Sequence, residues 1–203
     1  MTPREHLKFK RIEKERKKLE AEIKSERWHI RLGSEATLQQ SLNTMEDFSL
    51  VQEDIPLIIK LVENPKYDIG LFAGYVDLLT HDCIHILLGR GLLIKDEAFV
   101  IGYTMGTSRK MFRWRRNLFM FCAKRLYPEG YNFEEDERFV FSMGVLAGSK
   151  CPTDLSKIDF KKFLNRSISE TREKLGVDSS LLRGCYLAEN RLFKDSPESR
   201  RLI

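Results

Sequence analysis

Thr80-His81-Asp82-Cys83-Ile84-His85-Ile86-Leu87-Leu88-Gly89-Arg90-Gly91-Leu92-Leu93-Ile94-Lys95-Asp96-Glu97 is the stretch on which the fold turns. It holds four groups able to bind one metal ion: His81, Asp82, His85 and Glu97. At roughly 100° per residue, a helix places His85 about 40° round from His81 and Asp82 about 60° beyond His85, so these three share one face. Cys83 falls about 200° from His81 and is excluded from that face. Tyr67 to Leu88 reads as one long, largely apolar helix with the two histidines near its C-terminal end. Gly89 and Gly91 break it, because glycine tolerates the positive φ that ends a helix. A second helical run opens near Lys95-Asp96-Glu97 and carries Phe99, Val100, Tyr103 and Met105 onward. A carboxylate in its first turn is electrostatically favoured. Helix, glycine loop and returning helix predict that Glu97 comes back to the face of the histidine pair.

A lone histidine on an apolar helix is ordinarily a hydrogen-bonded core residue. Two at i, i+4 with a carboxylate between them are different, since burying all three unpaired costs several kcal/mol. Two imidazoles with two carboxylates form a mixed set that suits one divalent ion, Zn²⁺ first, with Fe²⁺ and Mn²⁺ also fitting and Mg²⁺ not excluded. The competing reading makes Asp82 and His85 a helix-end pair and Glu97 a solvated cap. Arg90 and Lys95, on the loop between the ligands, are candidates to steer an anionic head group, against the simpler reading of solvated loop charges.

The remaining patterns frame an all-α, single-domain helical bundle. Asp54-Ile55-Pro56 resembles a cap with proline in the first turn of the apolar run Leu57 to Val62. Ser167-Ile168-Ser169-Glu170 reads as a capping box for a short helix ending at Gly176. Gly102-x-x-x-Gly106 permits close approach of a neighbouring helix or of a prenyl chain. Alternation of strand period bounded by hairpin turns is lacking. Residues 1–45 read as a charged helical extension, with Glu13–Lys17 and Glu20–Lys24 as i, i+4 pairs; 46–177 form the metal-binding domain, and 178–203 a polar C-terminal extension.

The segment Arg109 to Tyr127 carries a second signal, seven basic residues and no acidic one, interleaved with large apolar side chains. Phe112, Arg113, Trp114, Arg115 and Arg116 suit contact with an anionic membrane surface. A core helix with solvated arginines is the simpler alternative, and a nucleic acid fits least well, since the net charge is only +5.

His81-Asp82-x-x-His85 followed by eleven residues and Glu97 resembles the signature of the coenzyme Q (ubiquinone) biosynthesis protein 4 family. The loop glycines Gly89 and Gly91 fit the same resemblance. So do, more loosely, Arg125-Leu126-Tyr127-Pro128-Glu129-Gly130-Tyr131, Gly144 and Gly148, Ile158-Asp159-Phe160, and the run Ser169 to Val177. The similarity spans roughly Phe48 to Val177. It implies an all-α protein, peripheral to a membrane, that acts on prenylated quinone precursors through a metal held by His81, Asp82, His85 and Glu97. The implied activity is oxidative decarboxylation at C1 of the ring. The alternative is a non-catalytic scaffold presenting a lipid or quinone intermediate to other quinone-biosynthesis enzymes, and a homodimer is a further candidate partner. The first 45 or so residues and those after about 178 lie outside the resemblance.

With 203 residues, 42% hydrophobic and 32% charged, the chain can bury a real core and is not disordered overall. Its apolar runs are cut well short of a membrane span, and the N-terminus is too charged for a signal peptide. Cys83, Cys122, Cys151 and Cys185 are far apart with no CxxC pair, which predicts free thiols in a reducing compartment. The expected location is cytoplasmic, at the inner face of a membrane. Two other metal enzymes fit less well. An HD-type phosphohydrolase needs an earlier histidine ligand, and the only earlier ones are His6 and His29 in the charged extension. A zinc peptidase needs Asp82 to replace a longer glutamate base.

Overall fold

Phe99, Tyr103, Phe141 and Val145 meet the glycines of the facing helix in a close backbone contact of the computed structural model, which describes residues 28–46, 76–108 and 134–202. Helices Ile94–Thr107 and Glu135–Gly148 pack through paired small-residue stripes. A Cβ on Gly102 or Gly106 would collide with the carbonyl oxygens of Phe141 and Val145. One on Gly144 or Gly148 would meet those of Phe99 and Tyr103. Close backbone approach, and not a prenyl chain, is therefore what Gly102 and Gly106 serve.

Seven α-helices are formed among the described residues: α1 (Leu38–Glu46), α2 (Leu78–Leu88), α3 (Ile94–Thr107), α4 (Glu135–Gly148), α5 (Ile168–Leu175), α6 (Ser179–Leu192) and α7 (Pro197–Arg200). Two short 3₁₀ turns lie between α4 and α5. No strand is present among these residues, only one isolated bridge between Thr37 and Ser167. The all-α bundle is thus observed. Among the described residues, no helix is long and apolar enough to cross a membrane.

Local signals read from the sequence recur here. Ser167 caps α5 by accepting from the Glu170 amide, and Glu170 returns the bond to the Ser167 amide. Gly89 closes α2 at φ 66° and Gly176 closes α5 at φ 73°, both in the left-handed region. Cys83, Cys151 and Cys185 are free thiols. Cys83 is buried, which together with the nearby carboxylates of Asp82 and Asp77 pushes its pKa up to about 12.

Three expectations are corrected. The helix carrying the histidines begins at Leu78, not Tyr67. Asp77 is its N-cap in extended backbone, its side chain accepting from the Thr80 amide at 2.8 Å. The boundary at residue 45 also fails: Trp28, Leu38, Leu42 and Met45 are all buried in the shared core. Leu38, Leu42 and Met45 follow the i, i+4, i+7 spacing of a helix with one apolar face, so this part of the supposed extension belongs to the domain. The tail after 178 is no appendage either. Asp178 caps α6 by accepting from the Ser180 and Leu181 amides, and Leu182, Tyr186 and Glu189 point into the core.

The basic segment Arg109 to Tyr127 lies outside the described residues, including Phe112, Arg113, Trp114, Arg115 and Arg116. The same holds for the charged N-terminal stretch 1–27 and for the proline cap at Asp54-Ile55-Pro56.

Candidate metal centre

His81 and His85 leave one face of α2 one turn apart, and their rings meet edge to face with centroids 4.6 Å apart. Glu97, in the first turn of α3, reaches both. Its carboxylate lies 3.1 Å from His81 Nε2 and 3.2 Å from His85 Nε2, and the two Nε2 atoms are 3.0 Å apart. Two donors each about 2.1 Å from one ion at about 90–110° would stand about 3.0–3.4 Å apart, the spacing found here. The group His81, His85 and Glu97 can hold a metal ion.

The donor chemistry agrees with that geometry. His85 Nδ1 lies 2.7 Å from the Gly91 carbonyl oxygen, which can only accept. That bond keeps a proton on Nδ1 and, in the neutral ring, leaves Nε2 as a bare lone pair. A lone pair turned toward a carboxylate oxygen needs a cation or a proton between them. An imidazole oriented by a backbone carbonyl through its other nitrogen is the usual outer support of a metal-binding histidine.

Burial gives the centre a closed side and an open side. The His85 side chain is 0% exposed, His81 13% and Glu97 32%, so the cluster meets solvent past Glu97. Burial alone would raise the Glu97 carboxyl. When the rings are protonated, the charges of His85 and His81 and hydrogen bonds from them overcome it and hold the carboxyl far below the usual range. The N-terminal end of α3 adds a favourable field for the anion.

Asp82 is corrected: it is not in the converging set, which closes on His81, His85 and Glu97. A residue 100° from His81 shares the broad helix face, but the ligand atoms converge along the narrower line joining i and i+4.

Arg90 and Lys95 lie between the ligands in sequence, but their charges are taken up inside the fold. Arg90 is 0% exposed. It donates to both carboxylate oxygens of Glu189, at 3.0 and 2.6 Å, and lies 3.8 Å from Asp96. Its guanidinium sits between the rings of Phe99 and Tyr186, at 4.0 and 4.3 Å from their centroids. Burial opposes its charge, but Glu189, Tyr186 and Asp96 outweigh it and raise the pKa. Steering a substrate from this position is excluded, and Arg90 is an internal cross-link. Lys95 is likewise committed, 2.9 Å from Glu137 and 3.8 Å from Asp136 at the start of α4.

Glu189 and Arg201, which the sequence reading passed over, frame the loop from behind. Arg201 pairs with Asp96, the neighbour of Glu97, and Asp96 also accepts from the Leu93 amide at 3.1 Å. A faint sequence signal for Glu189 exists. Leu182, Tyr186 and Glu189 share one face of α6, and a carboxylate on an apolar face demands an internal cation. Comparison with protein-family models, with curated proteins and with solved structures finds no match to this chain.

Proposed function

We propose that the chain binds one divalent cation, zinc foremost, through His81, His85 and Glu97, and acts in oxidative decarboxylation of a prenylated aromatic quinone precursor. The convergence of three ligand side chains, with contacts of 3.0–3.2 Å and one side open to solvent, carries the metal part of this reading. The substrate class rests on the likeness of His81-Asp82-x-x-His85-x11-Glu97 to the coenzyme Q biosynthesis protein 4 signature.

When bound, the ion supplies a Lewis acid that draws charge from a ring carboxylate. The chain's own groups prepare the place. Gly91 fixes the His85 ring, the α3 terminus favours ionised Glu97, and the two histidines close the inner side against water. Arg90 and Lys95 are held by internal carboxylates, so an anionic head group is met at the ion and not by these cations. The net reaction replaces the ring carboxyl by hydroxyl and releases carbon dioxide. This is a two-electron oxidation and needs an oxidant such as dioxygen.

Elemental analysis and zinc titration of the purified chain test the first part. One ion per chain is expected, with His85→Ala weakening binding by at least about tenfold. Unchanged stoichiometry and affinity in that variant would end the assignment. Incubation of the metal-loaded protein with a prenylated hydroxybenzoate and dioxygen tests the second. Release of carbon dioxide supports the enzyme, whereas tight binding of the unchanged ring with no turnover points to a scaffold that presents the intermediate to other enzymes.

A further inference from the structure

We propose that the C-terminal segment is a latch for the centre, with Arg201 as a positioning residue that acts on His85 and Glu97 through the glycine loop. This rests on reading His81, His85 and Glu97 as ligands.

Two supports of the ligand set meet at one guanidinium. The Gly91 carbonyl orients His85 at 2.7 Å. Arg201 lies against the same glycine, where a Cβ would collide with its guanidinium and stand 2.9 Å from Asp96 Oδ2. Arg201 also pairs with Asp96, whose Oδ2 accepts from the Leu93 amide and so caps the helix on which Glu97 is the next residue. One side chain thus lies against both the glycine whose carbonyl orients His85 and the cap behind Glu97.

The latch is itself anchored. Ser199 donates to Glu189 at 3.1 Å, and Glu189 grips Arg90 in the same loop. Asn190 on α6 donates to the Ser199 carbonyl at 3.1 Å, and Ser196 caps the short helix α7 that leads into Arg201. Asp96 is 0% exposed. Without Arg201, the guanidinium nearest to it among the described residues is that of Arg90 at 3.8 Å, a distance too long for a direct hydrogen bond. A buried carboxylate left so weakly compensated is costly, and a shift of the adjoining loop that carries Gly91 relieves that cost.

The test uses the full chain with two independent probes. One is Zn²⁺ titrated against a chelating dye. The other is the ring ¹⁵N spectrum of His85 in metal-free protein, which reports the nitrogen that carries the proton. Arg201→Ala removes the latch. Gly91→Ala displaces it, since Gly91 has no positive φ and a methyl there fills the space of the guanidinium. Leu182→Ala removes a buried side chain of α6 and leaves the loop contacts intact. The expected result is zinc binding weakened about ten- to hundredfold by both latch variants, within the range for outer supports of metal ligands. His85 should change from a single Nδ1–H tautomer to a mixture in both, and Arg201→Lys should recover part of each effect. Leu182→Ala should lower the melting temperature but move neither probe. Unaltered affinity and tautomer in Arg201→Ala, or equal changes in Leu182→Ala, overturn the latch. If the wild type takes up no zinc, the ligand reading falls, and the tautomer comparison alone decides whether Arg201 positions His85.

Discussion

Two polar clusters sit a few residues apart on the same loop, and they are built on opposite principles. Arg90, Asp96, Glu189 and Arg201 form a closed set in which cations and carboxylates face one another, with Arg90, Asp96 and Glu189 all 0% exposed. His81, His85 and Glu97 form an open set in which lone-pair donors face one another and one edge meets solvent. The closed set answers its own charges. The open set is completed only by something added, a proton or a cation. Buried ionisable groups are therefore not equal evidence of function, and the question to ask is whether the cluster is complete without a guest.

The largest effect should come from breaking the closed cluster. Glu189→Ala leaves the Arg90 guanidinium buried without its bidentate partner, a loss of about 3–5 kcal/mol. Denaturant unfolding with and without zinc measures it. The loss should be large in both conditions and somewhat larger with zinc, because Glu189 also anchors the latch through Ser199. A variant that unfolds at the wild-type midpoint would mean that the pair is not the cross-link described.

Glu97→Gln should behave in the opposite way. In the wild type, zinc at a hundred times its dissociation constant stabilises the fold by about 2.7 kcal/mol, and the variant should lose most of that gain. Metal-free, the change should be within about 1 kcal/mol, because the carboxylate is partly solvent-facing and its attraction to the histidines is screened. Its linkage to pH has a definite sign. The folded carboxyl is held below its unfolded value, so its stabilisation is present above the ordinary carboxylate range and lost only in strong acid, as pH falls through the depressed folded value. A large metal-free loss would place Glu97 with the closed cluster instead.

The contrast between the clusters also explains what the sequence could and could not say. His81 and His85 at i, i+4, the glycine stop at Gly89, and Glu97 in the next first turn are local patterns, and each is legible because helix period and capping act over a few residues. Gly102 and Gly106 were readable as a packing stripe, although their partners Gly144 and Gly148 are set by tertiary contact. Arg90 was misread because its partner lies far along the chain, and nothing beside Arg90 announces burial. Residues 178–203 read as a polar extension because they lie outside the resemblance, yet three residues on one face of α6 enter the core. Asp82 failed for a finer reason, since angular position on an ideal helix is coarser than the convergence of ligand atoms.

The smallest expected effect lies at the rim of the closed cluster, where His29 faces Arg201, Asp96 and Arg31. Burial is the main cause that lowers its pKa; Arg201 and Arg31 add to the shift, while Asp96 and a hydrogen bond with the Arg201 backbone oppose it. A base whose folded pKa is depressed is protonated more readily when unfolded. The unfolded chain therefore binds more protons as pH falls below the ordinary histidine value of about 6.5, and stability declines from there toward the lowered folded value. His29→Gln removes this single linkage. The difference between variant and wild type, followed in metal-free protein from neutral pH to about pH 5, should shift slightly in favour of the variant. Glu97 is not titrating in that interval, because its carboxyl is held far lower, so the open cluster contributes no carboxylate change to the signal. A difference that stays constant across the interval would show that His29 meets its proton equally in both states. The closed cluster would then be insensitive to mild acid even at its edge.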